Sequence, residues 1–195
     1  MSRRDCPPQL ILASRSPRRR ELLAEAGYRF DVCPPRHGIE SALSAGEDPA
    51  ELVARLAYQK AADVATRVSS GLILGCDTVA ECDGRILGKP EDDQDARRML
   101  ETLRGRKHRV LSGVCLLRQP EGTSTVRVDA TLLSMDRLSD LQIDEYVASR
   151  AWKGKAGAFG YQDRLGWVHI LEGSPSNVVG LPMELLAEML KEIVP

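Results

Sequence analysis

Helix and strand signals alternate along this chain, and that alternation most limits what it can fold into. Leu10–Ala13 is a short apolar strand. Ser16 and Pro17 then supply an N-cap and a first helical residue, opening a helix to about Ala26 that Gly27 ends. Residues 28–33 read as a second strand and 34–47 as an irregular loop. Asp48-Pro49-Ala50-Glu51 is a capping-box pattern opening a helix to about Val68. Residues 72–82 form a strand, which Asp83-Gly84 turns into a return strand at Arg85–Leu87. A helix follows Asp93 and ends near Gly105; strands at 109–117 and 125–135 come next, joined by residues 120–124. A second capping box at Ser139–Gln142 opens a short helix to about Ser149. A glycine-rich loop at 153–162, a strand at 166–171 and a final helix at 183–194, behind Pro182, complete the chain. Alternating elements with at least one hairpin define an α/β fold with a mixed sheet.

The 195 residues suit one domain, taken here as residues 1–195 with 1–8 as a flexible N-terminus. A net charge of −1 and an aromatic content of 4% argue against nucleic acid as a partner, which needs a basic surface or stacking platforms. The count of 5 cysteines is odd and none are spaced C-x-x-C, which reads as a reduced, cytosolic protein. The opening "MSRRDCPPQ" lacks the apolar core of a signal peptide, and no apolar run of about 18 residues is present, so no membrane span is expected.

Charge is uneven inside this neutral chain. In "LILASRSPRRRELLAEAG", Arg18, Arg19 and Arg20 follow Ser-x-Ser-Pro where a helix begins. A helix N-terminus is partly positive, so arginines there are of the wrong sign until an anion binds. Ser14 and Ser16 add hydroxyl donors. The plain alternative is a solvated arginine run with ordinary capping.

Lys60 falls on the same helical face as Leu52, Val53, Leu56, Ala57, Ala61 and Val64. A buried lysine needs a charged partner; the alternative is a side chain that snorkels along the edge. Asp77 interrupts the otherwise almost wholly apolar "LILGCDTVAEC". A metal, a water to activate, or a lysine would explain a carboxylate there; the alternative is a structural acid capping nearby backbone. Lys89 ends "ILGKP", whose glycine spacing is one residue short of a phosphate loop and whose Pro90 stands where a Ser or Thr would hold magnesium. Glu40, in "RHGIES", is uninformative alone. His108 and His169 lie in strand-like segments and read as structural. Basic groups from separate segments together with carboxylates fit metal-assisted chemistry on a polyphosphate.

These segments, in this order, resemble the Maf family of nucleoside triphosphate pyrophosphatases. The matching stretches are "LILASRSPRRRELL", "GIE", "LVARLAYQKA", "GCDTV", "LGKP", "SGV", "KAGAFGYQ" and "NVVGLP", which span nearly the whole chain. The resemblance implies a hydrolase that cleaves a nucleoside triphosphate between its α- and β-phosphates. It implies an elongated, two-lobed α/β domain with a mixed sheet and a central cleft, related to the inosine-triphosphatase group. It also implies a homodimer and a divalent cation, magnesium or manganese.

Residue by residue, the resemblance makes Asp77 the proton acceptor and Glu40, with Asp77, a metal ligand. It puts Ser14, Arg18, Arg19, Lys60 and Lys89 along the triphosphate. Arg18, Thr78 and Gln162 are similar to the dTTP/UTP branch in the residues that set base preference. The chain departs from the family at Tyr161, where a small aliphatic residue is usual, and at "QDR", which replaces a glycine-rich continuation. Two alternatives stand beside this reading: a pyrophosphatase for 7-methyl-GTP or a broad set of modified nucleotides, and a nucleotide-binding regulator of cell division.

Overall fold

The computed structural model describes residues 9–38, 47–163 and 165–193. Its elements run in chain order as β1 (Leu10–Ala13), α1 (Pro17–Glu25), β2 (Phe30–Val32), α2 (Pro49–Ala65), β3 (Gly71–Cys82), β4 (Arg85–Leu87), α3 (Asp93–Leu103), β5 (Lys107–Gln119), β6 (Thr123–Met135), α4 (Asp140–Ala148), β7 (Val168–Glu172), α5 (Pro175–Val179) and α6 (Met183–Ile193). Two 3-10 turns, Ala156–Ala158 and Tyr161–Asp163, lie in the glycine-rich loop.

Most of the expected caps form. Asp48 accepts a hydrogen bond from the Ala50 N–H at the start of α2, with Pro49 as its first residue. Ser139 and Gln142 close a reciprocal capping box on α4. Asp83 and Gly84 both have positive φ, 50° and 78°, as a tight hairpin turn requires. Ser16 differs: it has N-cap backbone geometry, but its side chain caps nothing. The short helix α5 escaped the sequence reading. Its signal was present in Ser174-Pro175, since the Ser174 hydroxyl caps the Ser176 and Asn177 N–H groups.

The sheet has 7 strands in the order β2-β1-β3-β5-β6-β7, with β4 beside β3. β1 pairs in parallel with β2 and with β3, and every other pairing is antiparallel, so the sheet is mixed as expected. β3 is the axis. On one side β5 accompanies it throughout, from Gly71 to Glu81. The other side is shared: β1 covers it as far as Gly75, and β4 resumes at Ala80. Residues 76–79 therefore face a gap between the two lobes, and Asp77 and Thr78 sit in it. The cleft exists because β1 stops at Ala13 and the chain turns away into α1.

Core packing follows the same division. One apolar cluster joins α3, α4 and the far ends of β3, β5 and β6, with Leu100, Leu103, Leu133 and Ile143 fully buried. A second joins β1, α1 and α6 over the near end of β3. α2 lies on the opposite face and buries Val53, Ala57, Ala61 and Val64 against β3 and β5. Two glycines set how closely α2 approaches. A Cβ at Gly75 would lie 2.1 Å from the Ala57 carbonyl oxygen, and one at Gly113 would lie 2.1 Å from that of Val53. Gly113 is the cross-strand partner of Asp77. The helix backbone thus rests directly on the sheet around the residue that carries the buried acid.

Candidate active site

Side chains along a strand alternate between faces. Asp77 shares the α2 face with Gly75, and Thr78 faces α1 and α5. The gap in the β3 edge lets both line one cavity of about 290 Å³, together with Arg18, Arg19, Lys89 and Gln162. Residues from the two lobes thus meet at the break in the sheet.

The two buried charges of the sequence answer each other. Lys60, 4% exposed, donates from Nζ to Oδ1 of Asp77, itself 8% exposed. Lys60 does not snorkel: α2 lies close enough to the sheet for its ammonium to reach the acid. A buried charge that is paired and hydrogen-bonded avoids the desolvation cost that an isolated one would carry. Lys60 is behind Asp77, and the carboxylate faces the cavity.

The arginines of α1 divide between two tasks. Arg19 is 8% exposed, and its guanidinium is engaged within the protein. Nε donates to the Gly180 carbonyl at 2.7 Å, Nη1 to Ser14 Oγ at 3.3 Å and Nη2 to Thr78 Oγ1 at 3.1 Å. Thr78 also lies 2.8 Å from Ser112 Oγ and donates to the same Gly180 carbonyl at 3.2 Å. Arg19 and Thr78 therefore knit β1, β3 and the loop after α5 into the cavity wall. Ser14 is buried behind them, where its Oγ also accepts from the Ser16 N–H at 3.1 Å.

Arg18 is the more open guanidinium. It donates to the Gly154 carbonyl across the cleft. Burial, and then its neighbour Arg19, lower Arg18 from its ordinary value, with Asp163 opposing in part. Glu21, on the same helix, opposes the shift as well. Lys89, exposed at the end of β4, lines the same cavity, as do Arg15, Lys153 and Lys155. The sequence reading missed Lys153 and Lys155. The run "KGKAG" beside the loop's glycines was the available signal.

Gln162 is exposed on the 3-10 turn Tyr161–Asp163 and lines this cavity and a larger one of about 870 Å³. Arg18 and Phe159 are shared by both as well. The larger space adds the rings of Tyr146, Tyr161 and Trp167 and, at its rim, Glu21, Glu25 and Glu184.

Glu40 and the N-terminal residues 1–8 lie outside the described residues. Among the described residues no group of three or more His, Cys, Asp and Glu side chains could hold a metal ion. Asp77 by itself fits a hard divalent cation shared with substrate, because magnesium is commonly held by one or two carboxylates and the phosphates of its ligand. His108 and His169 stand apart from the cavity, the first buried and the second paired with Asp136. Cys33, Cys76, Cys82 and Cys115 are free thiols. No described helix is long and apolar enough to cross a membrane.

Comparison with known proteins places the chain in a family. A family model described as "Maf-like protein" matches residues 9–193. A dTTP/UTP pyrophosphatase of Rhodopirellula baltica is 51% identical over 186 residues, covering 95% of this chain and 82% of that protein. A dTTP/UTP pyrophosphatase of Ruminiclostridium cellulolyticum is 39% identical over 187 residues, covering 94% of this chain and 95% of its own. A solved HAM1 protein from Coxiella burnetii, 15% identical, covers 95% of this chain and 99% of its own with a TM-score of 0.51, and so shares the fold alone. With the family match running from β1 to the last described residue of α6, and with relatives this similar along nearly all of it, the chain belongs to the Maf family.

Proposed function

We propose that this protein hydrolyses nucleoside triphosphates at the α–β phosphate bond, with dTTP and UTP preferred, giving the monophosphate and pyrophosphate. The observation that carries the reading is the Lys60–Asp77 pair at the break in β3, with cationic side chains around the same cavity. A site that only bound nucleotide would need the cations and no acid among them. The names of the relatives, dTTP/UTP pyrophosphatase, support the same chemistry.

In this mechanism Arg18 and Lys89 draw the polyphosphate into the smaller cavity and offset its charge. Arg19, Ser14 and Thr78 keep the wall of that cavity in place. Lys60 engages Oδ1 of Asp77, so Oδ2 takes the proton from the attacking water. The water oxygen bonds to the α-phosphorus, the bond from that phosphorus to the α–β bridging oxygen breaks, and pyrophosphate leaves with the bridging oxygen. A divalent cation, magnesium or manganese, held by Asp77 and Glu40, would neutralise charge on the phosphates. Base choice falls on Arg18 and Gln162, which border both cavities, with Thr78 acting through Arg19. A glutamine offers both a donor and an acceptor to a pyrimidine edge. The family resemblance adds a homodimer to this reading, and the cysteine pattern a reduced, cytosolic setting.

Two measurements test it. Asp77→Asn keeps the shape of the carboxylate and removes the base. Turnover should fall by roughly 100- to 10,000-fold, while nucleotide still raises the melting temperature. Near-normal turnover removes Asp77 from the mechanism. In the wild-type protein, kcat/KM for dTTP, UTP, CTP, GTP and 7-methyl-GTP should place dTTP and UTP first. A purine at the head of that ranking overturns the base assignment and leaves the reaction standing.

A further inference from the structure

The loop that carries Gln162 is closed by an ion pair that the mechanism does not use. Lys155 Nζ donates to Asp163 Oδ1 at 2.6 Å and also contacts Oδ2. The Tyr146 hydroxyl, from α4, donates to the same Oδ2 at 2.8 Å. The pair is largely out of water, with side chains 10% and 19% exposed, so it is screened less than a surface pair.

The intervening chain is built around this contact. Gly157 and Ala158 have φ of 66° and 64°. Left-handed backbone is unusual for an alanine and persists where surrounding structure enforces it. A Cβ at Gly160 would lie 2.5 Å from Lys155 Nζ and 2.7 Å from Asp163 Oδ2, so a larger residue there would displace the pair. The Asp163 N–H donates to the Gly160 carbonyl at 3.1 Å, closing the turn whose middle residue is Gln162. Lys155 belongs to the wall of the smaller cavity and Tyr146 to that of the larger one, while Asp163 lines neither. Asp163 is thus tied to both walls immediately beside the residue that borders both spaces.

We propose that Asp163 is a positioning residue for base selection: clasped by Lys155 and Tyr146, it fixes the turn that presents Gln162 between the two cavities. The inference rests on the pyrimidine reading of the proposed function. It assigns Asp163 no contact with substrate and no part in breaking the phosphate bond, so its effect should fall on KM and on the choice of base.

Steady-state kinetics with dTTP and GTP test this on wild type, Asp163→Asn, Tyr146→Phe, Gln162→Ala and the double variant Asp163→Asn/Gln162→Ala. Asp163→Asn should lower the dTTP:GTP ratio of kcat/KM by about tenfold, on the order of one mispositioned hydrogen bond. The loss should appear in KM for dTTP, with kcat changed less than about threefold. Tyr146→Phe leaves the ion pair and removes one hydrogen bond, so the ratio should fall by roughly threefold. The double variant should discriminate no worse than Gln162→Ala alone, because both act through one side chain. Equal losses on both nucleotides, or single effects that multiply in the double variant, overturn the proposal. Should Asp163→Asn fail to fold, an unchanged ratio in Tyr146→Phe overturns it equally. A wild type without any preference for dTTP overturns the pyrimidine reading and this inference together. A wild-type preference that survives Asp163→Asn overturns this inference alone.

Discussion

Removing Lys60 should unmask the charge it holds. In Lys60→Met the Asp77 carboxylate keeps its place in the gap of β3 but loses its ammonium partner. Deleting one member of a fully buried pair costs about 3–5 kcal/mol. Asp77 lines a cavity and its side chain keeps 12% of its exposure, so water repays part of that loss. We therefore expect about 2 kcal/mol, or a fall in melting temperature of about 4–8 °C for a chain of this length. The double variant Lys60→Met/Asp77→Asn carries no charge at either position and should recover most of that loss. Coupling between the sites should then be about 1–2 kcal/mol. Urea unfolding of the four proteins at pH 7, without nucleotide or metal, measures the cycle. Turnover of Lys60→Met should also fall on the order of 100-fold, since the base is no longer held. Effects on stability that add to within about 0.5 kcal/mol would refute the coupling. Wild-type turnover in Lys60→Met would refute the functional half of the argument.

The remaining predictions concern the frame of the site. Gly113→Ala would put a Cβ 2.1 Å from the Val53 carbonyl oxygen, where only backbone can yield, and should cost about 3 kcal/mol or more; Gly88→Ala, with nothing within 4 Å, should be near neutral, and equal urea midpoints for the two would disprove the close approach of α2. His108 is 2% exposed, packs edge-on against Phe159, and finds no hydrogen-bond partner for either ring nitrogen among the described residues. Burial lowers it to about 4, against opposing pulls from the Arg106 backbone and Glu81. Its folded state binds fewer protons than the unfolded chain, so the stability it contributes is present above about pH 6.5 and is lost as pH falls towards 4. Between pH 7 and 4.5, His108→Leu should therefore lose about 2–3 kcal/mol less than wild type in urea unfolding, and parallel losses would refute the assignment.

Local elements of this chain were legible because their signals lie in adjacent residues. Proline after a capping residue marks the starts of α1 and α2, and the same pair at Ser174-Pro175 marks α5, where it was overlooked. Asp83-Gly84 determines its hairpin, because a tight turn with positive φ favours these residues. Apolar periodicity likewise identified the α2 face and made Lys60 and Asp77 conspicuous as charges needing partners. What periodicity cannot supply is who the partner is. Lys60 and Asp77 are 17 residues apart in the chain, Arg19 and Gly180 are 161 apart, and neither pairing has a local signature. Each depends on where helices come to rest: α2 because Gly75 and Gly113 leave no side chain beneath it, and the α5–α6 junction because α6 packs beside α1. The sequence by itself determined the α/β alternation, the caps, the turns and the identity of the charged residues that needed explaining. Tertiary structure alone decided that β1 ends short of β4 along β3, that the break becomes the cleft, and that Arg19 is engaged in its wall while Arg18 stays the more open of the two. The physical reason is one of range: caps and turns are satisfied by hydrogen bonds between near neighbours, whereas a buried charge is satisfied by whatever group the packing of distant segments brings within about 3 Å.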